Sequence, residues 1–347
     1  MKLGMLCYGS DTGLGRQTEL LYRLLKPDKV MLVDISRLNG MPVHSSWYSN
    51  IDVHTDGYPT NEEIDRFLDG IDTVFICESP LNYYLLERAN QLGIRTVVQP
   101  NPEFFDYFRS PHIPRPSVFG LPSTWMQREV QAAVPGSLVV SLPVPVDSDR
   151  LPERHVTEVK THFHIAGRPA ANDRNGTHDF IQAARMVANV ERGIRFILYC
   201  QKPDVALRRA VRSANIELIE HVDDYGDMYR QGDILVLPRK YGGLCLPAQE
   251  AVGSGLPVLM PRISPNDSWL PAEWLLDVKP EPRSFKPRGT VHMWDTNIQA
   301  LAQRMLDLYR HPEAVEKMAD QARDLSHSLS WETLGPLYRR VIEGGDA

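Results

Sequence analysis

The amino-acid sequence predicts an α/β protein built from two Rossmann-like, doubly wound domains in tandem. β-rich runs alternate with helical patterns along the chain, which is typical of parallel sheets that carry helices on both faces. A Pro- and Asp-rich passage at 143–149 interrupts the alternation once, after which it restarts. The length of 347 residues is typical of two such domains. We therefore expect domains over 1–147 and 161–328, a linker over 148–160, and a last helix over 329–347.

The first half contains five predicted strands and three predicted helices. In the first helix the leucines at 20, 21, 24 and 25 share one face, as expected for a helix packed on a sheet. The hydroxyl residues Ser123 and Thr124 are predicted to cap the third helix. The predicted strands are Lys2–Tyr8, Val30–Ile35, Thr73–Cys77, Arg95–Gln99 and Leu138–Leu142, and the predicted helices are Thr18–Leu25, Leu81–Leu92 and Met126–Ala133.

The second half repeats the pattern and ends in helices. Its predicted strands are His162–Ala166, Arg195–Cys200, Ile216–Ile219, Ile234–Leu237 and Pro257–Met260. Its predicted helices are Thr177–Val190, Pro203–Ser213, Ala248–Gly253, Asn297–Tyr309, Pro312–Leu325 and Trp331–Glu343. Ligands of doubly wound folds bind beyond the carboxyl ends of the strands, so we expect the site in the loops there and in the cleft between the domains.

The composition excludes several classes of protein. With 42% hydrophobic and 24% charged residues the chain is outside the disordered class. Apolar runs such as Val30–Val33 are strand-sized, and the first residues lack a secretory signal, so no stable membrane association is expected. Four cysteines without CxxC spacing predict buried free thiols and a cytoplasmic protein. The net charge of −6 disfavours general nucleic-acid binding.

A glycine-rich loop, Gly9–Arg16, follows the first predicted strand. The glycines would let the backbone N–H groups of Gly13, Leu14 and Gly15 approach a phosphate or a sugar at the start of a helix. Two glycines of a dinucleotide-binding fingerprint are also present, and Asp34 stands about where a ribose-binding acid would. A nicotinamide-dependent oxidoreductase is therefore one alternative, and a tight turn that simply requires glycine is another.

Two further strand-to-helix loops suggest an anion site in the second half. Arg168 and Arg174 lie on one loop after the strand His162–Ala166, and their guanidinium groups suit phosphate oxygens, although solvated loop arginines are the plainer interpretation. The other loop follows Ile234–Leu237 and offers backbone N–H donors before a helix. Glu250, within that helix, could accept hydrogen bonds from the vicinal hydroxyls of a ribose, or could serve only the helix dipole.

This last segment resembles the signature of the GT-B glycosyltransferases, especially the large retaining family four, also called glycosyltransferases group 1. The matching residues are Asp233, Pro238, Gly243, Leu246, Pro247, Glu250, Ala251, Gly255, Pro257 and Val258. Arg168 also matches the family's Gly-Arg…Lys-Gly loop, and Arg174 replaces its lysine because Asn175 stands at the usual position. The resemblance is specific over the second half and looser over the first.

Two shorter segments extend the resemblance. Pro145–Asp147 is similar to the family's interdomain Asn-Gly-Val-Asp segment. Ser330–Glu332 is similar to the start of its C-terminal helix, which crosses back to the first domain.

The resemblance implies a nucleoside-diphosphate sugar, such as UDP-glucose, bound mainly by the second domain, and an acceptor bound by the first. It also implies that Arg168, Arg174 and backbone N–H groups stabilise the leaving diphosphate, without metal or cofactor and with retention of configuration. The pair His162 and His164 has no third ligand nearby in sequence, in keeping with a metal-free site. The predicted donor-binding residues are Gly13, Leu14, Gly15, Arg168, Arg174, Gly243, Leu244, Cys245, Leu246 and Glu250.

The sequence departs from the family pattern at two positions. Gly242 stands where the family has the glutamate associated with the donor sugar, for which Lys240 or Tyr241 could compensate. Asn101 stands where the family has a histidine, and it can donate a hydrogen bond but cannot act as an acid or base. The predicted catalytic residues are Arg168, Arg174, Glu78 and Asn101, and the predicted acceptor residues are Asp11, Glu103, Arg109 and Arg115.

The acceptor stays open between two classes. Arginines alternate with aromatic residues over 104–125 and 283–294, a pattern that can hold a nucleic-acid backbone and stack bases. One hypothesis is therefore a hydroxymethylated DNA base, which would have to be flipped out of the duplex. The other is a small polyol, nucleoside or glycan. Because of Gly242 and Asn101, a nucleotide-sugar binder without turnover is a third alternative.

Overall fold

The computed structural model describes residues 1–110, 112–168, 172–285 and 290–345. The chain divides into two compact units, the first made of 1–144 with 331–347 and the second of 145–330. Each has a parallel sheet, of seven strands in the first and six in the second, so the α/β fold with two doubly wound sheets is confirmed. The four cysteines are buried free thiols. Within the described ranges no helix combines the length and apolar character that crossing a membrane requires.

The sheet of the first unit has the strand order β3-β2-β1-β4-β5-β6-β7, with every neighbouring pair parallel. The order reverses next to β1, which is the place where doubly wound folds bind ligands. The strands are β1 Leu3–Cys7, β2 Lys29–Val33, β3 Ile51–Thr55, β4 Thr73–Cys77, β5 Arg95–Gln99, β6 Val118–Leu121 and β7 Leu138–Ser141. The helices are α1 Gly13–Leu25, α2 Ser36–Asn39, α3 Asn61–Leu68, α4 Tyr84–Leu92, α5 Gln127–Ala133 and, from the end of the chain, α12 Trp331–Glu343.

The core of the first unit lies on both faces of its sheet, because successive side chains of a strand point to opposite faces. Leu6 joins the cluster that includes Ile64 of α3 and Leu86 of α4. Met5, its neighbour in β1, joins the cluster of Leu21 and Tyr338, which lie on α1 and α12. The last helix therefore completes one face of the first unit.

The predicted cap of the helix after β6 is wrong. The helix begins at Gln127, one residue later than predicted, and its N-cap residue Met126 makes no side-chain hydrogen bond. Met126 has a left-handed backbone with φ of +55°, so the chain turns sharply after Ser123 and Thr124. The hydroxyl groups consequently stand too early in the chain to cap α5.

The second unit has a parallel sheet in the order β10-β9-β8-β11-β12-β13, followed by an antiparallel hairpin of β14 and β15. The strands are β8 Thr161–Gly167, β9 Arg195–Cys200, β10 Glu217–Ile219, β11 Ile234–Val236, β12 Val258–Pro261, β13 Leu275–Leu276, β14 Val278–Phe285 and β15 Val291–Thr296. The helices are α6 Thr177–Val190, α7 Val205–Ser213, α8 Asp227–Arg230, α9 Leu246–Gly253, α10 Ile298–Arg310 and α11 Pro312–Ser328. Short 3-10 helices at 45–47, 102–104, 106–108, 266–268 and 272–274 complete the chain.

Asp233, at the start of β11, ties this strand to its neighbour. Its carboxylate accepts hydrogen bonds from the backbone N–H groups of Lys160 at 2.9 Å and Thr161 at 2.8 Å, just where β8 begins. Arg154 adds an ion pair to the same carboxylate at 3.3 Å. The two strands that precede the candidate loops are thereby held in register at their starts.

Two buried histidines on β8 make the stability of the second unit depend on pH. Burial lowers the pKa of His162 to about 3 and that of His164 to about 4, against about 6.5 for an unburied histidine. Above pH 6.5 both are neutral in the folded and the unfolded chain, so they contribute no pH dependence. Between pH 6.5 and about pH 4 only the unfolded chain binds these protons, so the free energy of unfolding falls as the pH falls, by up to about 1.4 kcal/mol per pH unit per histidine.

Urea unfolding of wild type and His162→Phe at pH 7, 6 and 5 measures this effect. The variant removes one titrating group and keeps a ring beside Phe196, whose centroid lies 5.8 Å from that of His162. We expect its free energy of unfolding to fall less steeply below pH 6.5 than that of wild type. If the free energy of unfolding falls equally steeply with pH in the two proteins, His162 does not contribute to the pH dependence.

Candidate functional site

A loop between β11 and α9 is folded around the guanidinium group of Arg239. This side chain is only 5% exposed. Its Nε donates to the carbonyl oxygen of Tyr241 at 2.8 Å, and its Nη2 donates to that of Leu244 at 2.9 Å. Because both acceptors are backbone atoms of one loop, Arg239 fixes the course of the chain from 241 to 244. Arg239 is not among the predicted site residues, since the family pattern has a serine at its position.

The backbone N–H groups at the start of α9 lack partners in the described part of the chain. Cys245 is the N-cap residue, but its side chain makes no capping hydrogen bond in the described chain, and Pro247 has no N–H. Among the described residues, no acceptor is present for the N–H groups of Gly243, Leu244, Cys245 and Leu246. Unsatisfied N–H groups at a helix N-terminus, with the positive end of the helix dipole, form an anion-binding arrangement. The four predicted backbone donors thus lie together.

Arg174 lies at the same loop, although it precedes Gly242 by 68 residues. Gly242 has a left-handed backbone with φ of +118°. A Cβ atom there would lie 2.4 Å from Nη2 of Arg239 and 2.6 Å from Nη2 of Arg174. The guanidinium carbon of Arg174 also lies 5.3 Å from the ring centroid of Tyr241. Two positive charges therefore stand where the family pattern has a glutamate side chain.

The loop of Arg174 is joined to the β11–α9 loop through the backbone. The N–H of Lys240 donates to the carbonyl oxygen of Arg174 at 2.8 Å. Gly176, with φ of +69°, lies so close to Pro238 that a Cβ atom would stand 2.0 Å from the proline carbonyl oxygen. Arg168 is exposed at the end of β8, and residues 169–171 of this loop lie outside the described residues.

Asn175 and Asp173 also have structural roles in this loop. The side-chain amide of Asn175 donates to the carbonyl oxygen of Ala166 at 3.1 Å. The carboxylate of Asp173 accepts from the N–H groups of Thr177 at 2.8 Å and His178 at 3.1 Å, and so caps α6. The Asp173 carboxylate therefore satisfies N–H groups at the start of α6, whereas no described side chain does so at the start of α9.

Glu250 of α9 is buried and is held by two tyrosines. Both of its carboxylate oxygens lie 2.9 Å from the hydroxyl of Tyr225. Its Oε2 also accepts from the hydroxyl of Tyr229 at 2.5 Å. Burial and the charge of Glu250 raise the pKa of Tyr229 well above its usual value, so its hydroxyl stays protonated and donates this hydrogen bond. No sequence signal pointed to either tyrosine, because both precede β11 and reach Glu250 only through the fold.

The ammonium group of Lys240, a residue that could compensate for the glutamate missing at position 242, forms ion pairs with three carboxylates. Its ammonium group is 2.8 Å from Asp295, 3.5 Å from Asp179 and 3.6 Å from Glu281. Burial is the largest influence on Asp179 and raises the pKa of its carboxyl group. Lys240 thus anchors the β11–α9 loop to α6 and to the hairpin. Whether Lys240 compensates for Gly242 stays a prediction, now for an ammonium group that already pairs with three carboxylates.

In the first unit, the glycine-rich loop forms a tight capped turn. The N–H of Gly15 donates to the hydroxyl of Thr12 at 3.1 Å, and a Cβ atom on Gly15 would lie 1.9 Å from the carbonyl oxygen of Ser10. The close approach of the Ser10 backbone therefore explains, without any ligand, why residue 15 is glycine. Gly13 and Leu14 lie at the start of α1, where they remain predicted donor contacts.

Asp11, a predicted acceptor residue, belongs to a polar and aromatic cluster after β1. Its carboxylate pairs with Arg16 at 2.6 Å and with His44 at 2.8 Å. The indole of Trp47 lies 4.5 Å from the guanidinium carbon of Arg16 and stacks on His44 with ring centroids 4.8 Å apart. Asp34, the acid that suggested an oxidoreductase, accepts from the N–H of Ser36 at 2.8 Å. Hydrogen bonds from the hydroxyl and the backbone N–H of Ser36 lower the pKa of Asp34.

Glu78 and Asn101 meet at the carboxyl ends of neighbouring strands. The amide Nδ2 of Asn101 donates to Oε2 of Glu78 at 2.6 Å. Glu78 has a left-handed backbone with φ of +63°, an uncommon conformation for a residue with a side chain. The structure therefore brings together the two predicted catalytic residues of this unit.

The other predicted acceptor residues have separate surroundings. Glu103 is 2% exposed, Arg109 is exposed, and Arg115 donates to the carbonyl oxygen of Pro135 at 2.7 Å. The hydrogen bond of Arg115 stabilises a turn. Of the second aromatic and basic segment, Lys286 and Arg288 lie outside the described residues. No group of three or more metal-ligating side chains is placed to hold a metal ion in the part of the chain that the structure describes.

Comparison with known proteins supports a transferase class. Residues 160–311 match the family model of the glycosyl transferases group 1. No curated protein matches the chain in a sequence comparison. The matched range spans β8 to the end of α10 and so includes Arg168, Arg174 and Glu250. The sequence of the second unit is therefore similar to that of the group 1 glycosyltransferases.

Solved structures show the same fold over the whole chain. The pneumococcal O-GlcNAc transferase in complex with UDP and GlcNAc is 16% identical with a TM-score of 0.62, over 78% of this chain and 56% of that chain. Sucrose-phosphate synthase from Thermosynechococcus elongatus is 13% identical with a TM-score of 0.68, over 99% of this chain and all (100%) of the other. A glycosyltransferase from Rickettsia africae is 10% identical with a TM-score of 0.67, over 99% of both chains.

This chain spans little more than half (56%) of the length of the pneumococcal protein. Together the family model and these structures confirm the resemblance to GT-B glycosyltransferases of group 1. At these identities the structural likeness shows the fold, and the fold is GT-B.

Proposed function

We propose that this protein is a metal-independent glycosyltransferase that moves a sugar from a nucleoside-diphosphate sugar to a hydroxyl group. The observation that carries the proposal is the loop between β11 and α9. Four N–H groups without partners in the described chain stand beside Arg174, one helical turn before the buried carboxylate of Glu250. Donors and cations suit a diphosphate, and a carboxylate within reach suits the hydroxyl groups of a ribose.

A UDP-sugar, for example UDP-glucose, is the proposed donor. The structure of the pneumococcal protein was obtained with UDP and GlcNAc, and its fold is shared by this chain. In the proposed arrangement Arg168, Arg174 and the N–H groups of Gly243 and Leu244 bind the diphosphate. Gly13 and Leu14 of the first unit are proposed to contact the donor as well, through the start of α1.

The proposed reaction exchanges one bond at the anomeric carbon for another. The bond from the anomeric carbon to the leaving phosphate oxygen breaks, and a bond to the acceptor oxygen forms. The acceptor proton passes to the departing phosphate, so no protein base is required and the configuration is retained. Negative charge grows on the diphosphate during this step, and preorganised donors that meet such charge contribute several kcal/mol, about 3 to 4 for a single strong contact.

The first unit is proposed to bind the acceptor. Asp11 and Glu78 are carboxylates at the carboxyl ends of strands, where doubly wound folds take their ligands. Asn101 holds the carboxylate of Glu78 at 2.6 Å and so fixes its orientation. Carboxylates of this kind can accept hydrogen bonds from the hydroxyl groups of a sugar, a polyol or a hydroxymethylated base.

Incubation with a panel of nucleotide sugars tests the proposal. The release of free nucleotide is followed with and without hydroxymethylated DNA, and with a set of small polyols, nucleosides and glycans. Release from one donor that the DNA stimulates would identify both substrates. Release that only a small acceptor stimulates would support the transferase and exclude the DNA base. If donors bind without any release, the protein is a nucleotide-sugar binder, and binding of NAD alone would instead favour the oxidoreductase.

A further inference from the structure

One tyrosine hydroxyl lies between both oxygens of the buried carboxylate that is proposed to receive the donor ribose. The hydroxyl of Tyr225 is 2.9 Å from Oε1 and 2.9 Å from Oε2 of Glu250. A phenol has one proton, so it can donate to only one of the two oxygens at a time. The single proton of Tyr225 is therefore shared between the two carboxylate oxygens.

Tyr225 differs from the second tyrosine that contacts Glu250. Tyr229 is fully buried (0% exposed), with its ring centroid 6.2 Å from that of Phe163 in the core. It donates to Oε2 alone, from the protein interior. Tyr225 is only half-buried and lies in the turn before α8. Tyr229 is thus a fully buried partner, whereas Tyr225 is partly exposed and approaches Glu250 from the turn before α8.

A ribose presents two neighbouring hydroxyl groups, which can donate to both oxygens of a carboxylate at once. We propose that the Tyr225 hydroxyl takes the place of the ribose hydroxyls on Glu250 in the free protein and is displaced when a donor nucleotide binds. This inference rests on the proposed function of Glu250. Tyr225 is then a residue that sets the affinity for ribonucleotides, because each binding event must first break its hydrogen bond.

Calorimetric titration of UDP and of 2′,3′-dideoxy-UDP into wild type, Tyr225→Phe and Tyr229→Phe tests this role. Tyr225→Phe keeps the ring and removes the competing hydroxyl, so we expect UDP to bind about five- to tenfold more tightly than to wild type, in line with one lost hydrogen bond. The dideoxy analogue lacks the two ribose hydroxyl groups, which are the groups expected to bind Glu250 more tightly once the Tyr225 hydroxyl is removed. Its dissociation constant should therefore be nearly the same for wild type and Tyr225→Phe.

Tyr229→Phe is the matched control, because it removes a hydrogen bond to the same carboxylate from the buried side. It should bind UDP with unchanged or lower affinity. The inference is overturned if Tyr225→Phe binds UDP no more tightly than wild type, or if Tyr229→Phe or the dideoxy analogue shows an equal gain. If wild type binds no UDP at all, the proposed function itself fails and this role of Tyr225 fails with it.

Discussion

Replacement of Arg174 by methionine should lower kcat/KM for sugar transfer by about 10²- to 10³-fold, with little change in stability. Arg174 places its guanidinium group beside Gly242 and against the ring of Tyr241, next to the backbone donors of the β11–α9 loop. Loss of one preorganised donor to a developing negative charge typically has an effect of this size. Steady-state kinetics of the purified variant, with its unfolding measured in parallel, determine both quantities.

The matched control is Arg212→Met, because Arg212 is exposed on α7 and is not among the candidate site residues. It should leave kcat/KM within about twofold of wild type. Arg174→Lys restores the residue type found in the family pattern one position later and should recover part of the activity. If Arg174→Met is as active as wild type, the side chain of Arg174 does not bind the diphosphate.

Replacement of Gly176 by alanine should strongly destabilise the second unit. Its backbone has φ of +69°, and the new Cβ would lie 2.0 Å from the carbonyl oxygen of Pro238, a backbone atom that cannot simply rotate away. Left-handed strain contributes about 1 to 2 kcal/mol, and overpacking contributes about 1 to 3 kcal/mol. We expect a loss of about 3 kcal/mol in the free energy of unfolding, measured by urea denaturation.

Gly167→Ala separates the two contributions, because Gly167 has a similar φ of +63° but no described atom would lie within 4 Å of its new Cβ. It should lose only about 1 to 2 kcal/mol. Since Gly176 joins the loop of Arg174 to Pro238, Gly176→Ala should also weaken donor binding. Equal stabilities of the two alanine variants would argue against the close contact with Pro238.

The fold class could be predicted because strand and helix signals alternate in a regular way. Several elements were nevertheless missed for identifiable reasons. β3 at Ile51–Thr55 alternates buried and exposed residues at the edge of its sheet, so its apolar content is low. Helix α3 is short, and its clearest sequence signal is the capping box of Thr60 and Glu63 rather than a long apolar face. The hairpin of β14 and β15 contains prolines at 280 and 282, which normally argue against a strand.

The candidate site was predictable where its residues follow one another in sequence. Gly243, Leu244, Cys245 and Leu246 come from a single strand-to-helix loop, and the turn signals there are strong. Arg239, Tyr225 and Tyr229 could not be predicted because their roles depend on contacts made only after folding. The carboxylate partners of Lys240 could not be predicted for the same reason, since they lie on α6, β14 and β15.

Gly242 gives this chain a site with a different charge from that of the family pattern. With glutamate absent, the guanidinium groups of Arg174 and Arg239 stand close to the backbone of residue 242. Arg239 uses two of its donors on carbonyl oxygens of the loop, and so shapes the loop as well as adding charge. We therefore expect recognition of the donor here to depend more on the diphosphate than on a carboxylate that contacts the sugar.

Titration of ¹⁵N-labelled protein with UDP, followed through backbone amide resonances, tests most directly whether the N–H groups of Gly243 to Leu246 bind the diphosphate of the donor. We predict large shifts of these four amide signals with UDP, reduced in Arg174→Met and absent with NAD. The account is contradicted if UDP binds and these four signals do not shift. It is also contradicted if NAD binds and shifts only the amide signals of Gly13 to Gly15.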